Sequence, residues 1–156
     1  MCLTTNLTSP KKADEDKKVY KVLYRDHDGK YYAPVVIDTR NIRFIYEKGM
    51  NFPYVAWRDE EYTGLEGERY ISSGWLHAYN ALHEAVRMMK KYNCEQKVVF
   101  GCGEYVIVEM TIPKESEYYV SEDMLECCSK VLEWDGNIFM EDNNIKRIDK
   151  KICAYL

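Results

Sequence analysis

The amino-acid sequence predicts a single α+β domain, in which a mostly antiparallel sheet carries one principal helix at about residues 81–92. The chain has 156 residues, a usual size for one domain with one core. Short runs rich in Val, Ile, Tyr and Phe alternate with Gly, Pro, Asn and Asp turns, the pattern of antiparallel strands. One segment has clear helical spacing, and a helix with one apolar stripe must bury that stripe against a sheet.

The N-terminal 18 residues are polar and charged, and they include Lys11, Lys12, Asp14 and Glu15. Because this segment offers no apolar face, we expect residues 1–18 to be a flexible tail before a globular domain of residues 19–156. The strands predicted within that domain, in chain order, are residues 19–24, 31–37, 41–46, 97–100 and 105–112. Residues 47–67 are irregular and are predicted to form a long loop, a kind of segment that often carries function.

The helix is predicted from Leu82, Ala85, Val86 and Met89, which recur at helical spacing after the potential N-cap residue Asn80. Residues 121–134 fit two structures. Ser121 and the acidic residues after it are suited to cap a helix, whereas residues 130–134 read as a strand before the turn at 135–136. We favour the strand, for a reason given with the resemblance below.

Charge and composition exclude several classes of function. The net charge is −4, which argues against a general nucleic-acid binder, because such a protein needs a basic surface. The sequence begins without an apolar leader and has no run long enough to span a bilayer, so we expect a cytoplasmic protein that does not bind membranes.

The six cysteines show no paired metal-ligand spacing, and we expect free thiols, several of them buried. No nucleophile, dinucleotide or phosphate-loop motif is present, so no cofactor, metal or catalytic residue is predicted, and a non-catalytic protein is favoured over an enzyme. The chain is rich in tyrosine, with 14 residues, and these rings suit half-buried strands and interfaces.

One segment suggests a ligand site. If residues 74–79 are extended, Trp75, His77 and Tyr79 share one face, which gives two rings and one titratable group suited to stacking a base. Together with Arg25 these residues form the predicted ligand-binding set, with a nucleotide as the expected ligand. The alternative is that the same face packs against the sheet as ordinary core.

The start Met1-Cys2-Leu3-Thr4-Thr5, the segment at 74–79 and the run at 111–119 resemble corresponding segments of a loose group of small proteins. These proteins come from anaerobic gut bacteria and their tailed phages. The resemblance covers about half of the chain and implies a final strand at 130–134. It departs at Glu115, where the group has Gly. The resemblance implies no activity.

The implied order of strands and helix is also faintly similar to small ADP-ribosyltransferase-like domains. Those domains hold nicotinamide adenine dinucleotide with a His and aromatic residues, which would place the ligand near His77. They also need a Glu that acts on the ribose. Glu104 and Glu109 are the candidates in this sequence, with no motif to support either.

Three functional hypotheses follow. The first is a small non-catalytic binding protein, a phage or mobile-element accessory factor that occupies a host protein. The second is a nucleotide-binding or sequestering protein, or a degenerate transferase, with its site near His77. The third is a structural, virion-associated protein. The aromatic anchors expected for a protein partner are Tyr31, Tyr32, Trp57, Trp75, Tyr79, Tyr118 and Tyr119. The oligomeric state is left open.

Overall fold

The computed structural model describes residues 3–7, 9–34, 44–54, 61–63, 69–71, 74–95 and 103–141. Within these residues the chain forms fourteen β-strands and one α-helix. In chain order, the strands are β1 (Leu3–Thr5), β2 (Lys11–Lys12), β3 (Lys17–Arg25), β4 (Tyr31–Tyr32), β5 (Ile45–Tyr46), β6 (Gly49–Asn51), β7 (Glu61–Thr63), β8 (Arg69–Ile71), β9 (Leu76–Tyr79), β10 (Glu104–Ile112), β11 (Glu117–Val120), β12 (Glu126–Ser129), β13 (Leu132–Trp134) and β14 (Met140–Glu141). The helix, α1, spans Leu82–Glu95 and lies between β9 and β10 in the chain.

Eleven of the described strands form one sheet, in the order β2-β11-β12-β9-β3-β10-β13-β6, with β4, β5 and β14 attached beside β3 and β10. The strands of its centre, β3 and β10, pair antiparallel over nine residues, from Lys17 opposite Ile112 to Arg25 opposite Glu104. The described residues therefore confirm an α+β arrangement with a dominant antiparallel sheet and one helix. No helix in the described ranges is both long and apolar enough to cross a membrane.

The central strand β3 is largely buried on both faces over residues 19–24, which are apolar or aromatic except for Lys21. Val19 and Leu23 face the first core, which also contains residues of β5, β9, β10 and β13. Val22 and Tyr24 face the second core, beneath the helix. The sheet is thus covered on both sides at its centre.

Helix α1 packs on the second core through Ala85, Met89 and Tyr92, residues that recur on one side of the helix. The prediction of a helix at about 81–92 is confirmed, although the helix continues to Glu95. Asn80 lies two residues before the helix begins, and its side-chain amide donates to the Met124 carbonyl at 3.0 Å. Asn80 therefore ties the helix entry to the turn before β12.

The N-terminal segment is not a tail in the described residues, so that prediction is wrong there. Strand β1 pairs antiparallel with β8, with Leu3 opposite Ile71, and Leu3 is fully buried. Strands β1, β8 and β7 form a second, three-stranded sheet. Its apolar side belongs to a third core, which consists of Leu3, Ile71, Trp75, Tyr119 and Cys128. The burial of Leu3 in the third core, with the partly buried Leu7 beside it, holds this segment in place, although a charged run follows it in the sequence.

Residues 121–134 form a turn and two strands, which confirms the strand interpretation for Leu132–Trp134. The Ser121 hydroxyl donates to the Asp123 carboxylate at 2.6 Å, and the same carboxylate accepts from the Leu125 amide at 3.0 Å. Met124 has φ of 63°, in the left-handed region. These local contacts turn the chain where a helix would need the same groups for capping.

Other predicted strands lie only partly within the described residues. The predicted strands 31–37 and 41–46 correspond to β4 and β5 in their described parts, and the predicted loop 47–67 contains β6 and β7. The strand predicted at 97–100 lies outside the described residues.

Candidate functional site

The predicted ligand site lies on β9, and its rings are buried. Trp75 is 4% exposed and belongs to the third core, where its ring meets the Tyr119 ring edge-on at 5.0 Å. Tyr79 is 2% exposed and packs in the second core. His77 lies between them on the strand, paired with Cys128 of β12. In the structure this face is covered by the small sheet at one end and by α1 at the other.

Arg25 lies at the end of β3, five residues beyond Tyr20, which is the residue of β3 that pairs with Tyr79. Its guanidinium lies 3.1 Å from the Glu104 carboxylate and 3.6 Å from the Glu141 carboxylate. Glu109, the other carboxylate suggested by the transferase resemblance, lies 3.4 Å from the Lys18 ammonium. Both candidate glutamates therefore form ion pairs with cations of β3.

The tyrosines predicted as partner anchors differ in their exposure. Tyr31 and Tyr32 are half-buried on β4, and the Tyr31 ring contacts the Trp134 ring edge-on at 4.9 Å. Tyr118 is half-buried, with the Lys17 ammonium 4.3 Å from its ring centroid. Tyr119 is 1% exposed, so it is a core residue and offers no surface for a partner. Trp57 lies outside the described residues.

The large exposed apolar side chains lie mostly on another segment, at residues 45–54. Met50 and Phe52 are 52% and 57% exposed, and Ile45 and Tyr54 are each more than one-third exposed. We call Met50 and Phe52 the apolar edge, because Met50 lies on β6, at one end of the eleven-stranded sheet, and Phe52 follows directly after this strand. The buried Phe44 ring packs against the Tyr54 ring, with 4.8 Å between the ring centroids.

Asn51 fixes the backbone of the apolar edge. Its side chain accepts from the Glu47 amide and donates to the Glu47 carbonyl, both at 2.9 Å. It also donates to the Leu132 carbonyl on β13 at 3.2 Å. These hydrogen bonds hold the turn before β6, so Met50 and Phe52 project from a constrained strand.

The two ends of the eleven-stranded sheet differ in chemistry. At the other end, β2 consists of Lys11 and Lys12, both exposed. Exposed lysines on a short edge strand discourage pairing with other chains. Among the described residues, β6 carries no lysine of this kind, and it presents Met50, with Phe52 following directly.

Exposed charges surround the apolar edge. Glu133 pairs directly with Met50 across β13 and β6, and Glu47 and Asp135 are exposed in the adjoining turns. Lys48 is exposed as well and contacts the loop at Gly136. Within the described part of the chain, three carboxylates and one ammonium therefore give this surface a negative border.

A second unusual feature is the buried Lys21 on β3, which is 6% exposed. Its ammonium donates a hydrogen bond to the main-chain carbonyl of His77 and lies 5.4 Å from the centroid of the Tyr46 ring. It is on the same face of β3 as Val19 and Leu23, which both belong to the first core. No carboxylate among the described residues forms an ion pair with it.

Lys21 lies where the sheet branches. Strand β10 pairs with one edge of β3 along its whole length. At the opposite edge, β9 pairs at Tyr20 and β4 pairs at Tyr24 and Arg25. Within the described residues, the intervening positions 21–23 have no strand partner on that edge. The Lys21 ammonium reaches across this gap to β9.

Burial lowers the pKa of Lys21 from 10.5 to about 8, with Cys127 opposing the shift. Burial also raises the pKa of the neighbouring Cys127 thiol to about 12. At neutral pH, therefore, the interior holds a charged ammonium beside a neutral thiol.

The cysteine prediction is confirmed in part. Cys127 and Cys128 are buried free thiols, but Cys94 is disulfide-bonded, so the expectation of free thiols throughout is wrong at that position. Among the described residues, no group of three or more His, Cys, Asp or Glu side chains could hold a metal ion.

Sequence reasoning did not single out the apolar edge or Lys21. The edge is visible as Met50 and Phe52 within a polar loop, but exposure depends on the fold. Lys21 is visible as one cation within an apolar strand, at a position where alternation would place an inward-facing side chain. No protein-family model, curated protein or solved structure matches this chain.

Proposed function

We propose that this protein is a non-catalytic binding protein that occupies a partner protein through the apolar edge. The observation that carries the proposal is the difference between the two ends of the main sheet. One end is guarded by Lys11 and Lys12, whereas the other exposes Met50 and Phe52. Large apolar side chains clustered on a constrained surface are typical of interaction sites.

The border of the apolar edge indicates the chemistry of the partner. Among the described residues, Glu47, Glu133 and Asp135 place negative charge beside Met50 and Phe52, and Lys48 adds one positive charge. A complementary surface would carry an apolar pocket bordered by Lys or Arg, because complementary charge favours encounter and fixes orientation. The partner we propose is a host protein with such a surface, as suits an accessory factor of a phage or mobile element.

Capture from a lysate of an anaerobic gut bacterium tests this proposal when variants are compared. The wild-type protein should retain one stoichiometric partner, and Phe52→Asp should lose it, because a carboxylate placed at the interface centre is desolvated without compensation. Met124→Asn is the matched control. Met124 is 68% exposed on the turn before β12, and Asn tolerates its left-handed backbone.

Retention of the partner by Phe52→Asp, or loss by Met124→Asn, would contradict the proposal. Sedimentation of the purified protein separates it from the structural hypothesis. If the wild type forms dimers or larger assemblies that Phe52→Asp dissociates, the apolar edge binds a second copy of this chain, and the host-protein proposal fails.

A further inference from the structure

The feature of the interior that packing does not explain is the charge of Lys21. A buried ammonium is normally paired with a carboxylate, because removing it from water costs several kcal/mol. Among the described residues, Lys21 has one hydrogen bond, to the His77 carbonyl, and the centroid of the Tyr46 ring lies 5.4 Å from its ammonium. An ammonium has three donors, so two of them are not used within the described structure.

The position of Lys21 adds a second, independent observation. Within the described ranges, positions 21–23 of β3 have no strand partner on the edge between β9 and β4, and we call this stretch the gap. Where strands of a sheet diverge, side chains and ligands fill the space that the ladder leaves. In the part of the chain that the structure describes, the Tyr46 ring and the Cys127 thiol lie near the ammonium, Val19 and Leu23 share its face of β3, and Lys17 is a second cation that acts on Cys127.

We propose that the branch point of the sheet is a binding site for a small acid with an apolar body, whose carboxylate pairs with the Lys21 ammonium. The carboxylate would supply the missing counter-charge and accept the two unused donors. The apolar body would lie against Tyr46 and the aliphatic side chains of the first core. This site is distinct from the apolar edge and does not depend on the proposed partner.

Calorimetric titration with acetate, butyrate, octanoate and benzoate tests the proposal, with octanol as the uncharged match for octanoate. At least one apolar acid should bind more tightly than acetate, and octanol should bind at least tenfold more weakly than octanoate. Lys21→Met should lower the affinity for the acid by tenfold or more. Lys18→Met, which removes an exposed ammonium from the same strand, should leave the affinity unchanged.

The proposal is overturned if none of the acids binds, if octanol binds as tightly as octanoate, or if Lys21→Met binds the acid normally. A readout on the wild-type protein covers the case in which Lys21→Met does not fold. The side-chain ammonium resonance of Lys21 should shift on addition of the binding acid, and an unchanged resonance at saturation would also overturn the assignment.

Discussion

Lys21 carries a positive charge into a core whose other members are apolar, and its lowered pKa reflects a free-energy cost. A pKa lowered from 10.5 to about 8 corresponds to about 3 kcal/mol of destabilisation while the amine is charged. The hydrogen bond to the His77 carbonyl returns about 1 kcal/mol. Burial therefore outweighs the hydrogen bond, and the fold keeps this residue at a net cost.

Replacing Lys21 by Met should accordingly stabilise the protein by about 2 kcal/mol at pH 7, measured as the free energy of unfolding in urea. Lys18→Met on the same strand is the control, and it should change stability by no more than about 0.5 kcal/mol, because Lys18 is exposed. Destabilisation by Lys21→Met would show that the hydrogen bond to β9 outweighs the cost of burial.

The pH dependence of this difference has a definite sign. The folded-state pKa of Lys21 is below the unfolded value, so the unfolded chain holds more protons between pH 8 and 10.5. Wild-type stability attributable to Lys21 should therefore rise through that window, and the advantage of Lys21→Met should shrink. Burial raises the pKa of both Cys127 and Tyr46, which keeps these neighbours neutral over most of the window. A difference that stays constant from pH 7 to 10.5 would contradict this explanation.

At the scale of single elements, β1 is a strand in a segment where the sequence predicted a flexible tail. Leu3 is fully buried against Ile71 and the third core, although the segment around it is polar. Leu3→Ala should cost about 3 kcal/mol, as expected for a leucine truncated in a packed core. Asn6→Ala, at an exposed position four residues into the described segment, should be nearly neutral. Thermal denaturation of both variants checks this, and equal stabilities would restore the tail interpretation.

The elements that the sequence predicted well are those with strong local patterns. Strand β10 follows from its run of β-branched residues, and α1 follows from the spacing of Ala85 and Met89. The less predictable features depend on contacts far apart in sequence. Lys11 and Lys12 form an edge strand because β11 is available to pair with them. The burial of Trp75 likewise depends on Tyr119, which no local spacing connects to it.

At the scale of the whole molecule, one proposed site lies at the surface and the other lies in the interior. The apolar edge lies at one end of the sheet, and Lys21 lies at the branch point near its centre. The predicted ligand face is not exposed, because Trp75 packs in the third core with the small sheet and Tyr79 packs in the second core beneath α1. The proposed sites are therefore the exposed strand edge and the buried Lys21 ammonium, which has no carboxylate partner among the described residues.

The most direct test of binding through the apolar edge is photo-crosslinking in host cells, with p-benzoylphenylalanine replacing Phe52 or, as the control, Met124. Both side chains are more than half exposed, so both photoreactive groups would be open to solvent, and only the one at position 52 would lie in the proposed interface. The account predicts one dominant crosslinked protein from position 52 and none from position 124. No crosslink from position 52, or the same products from both positions, would contradict it.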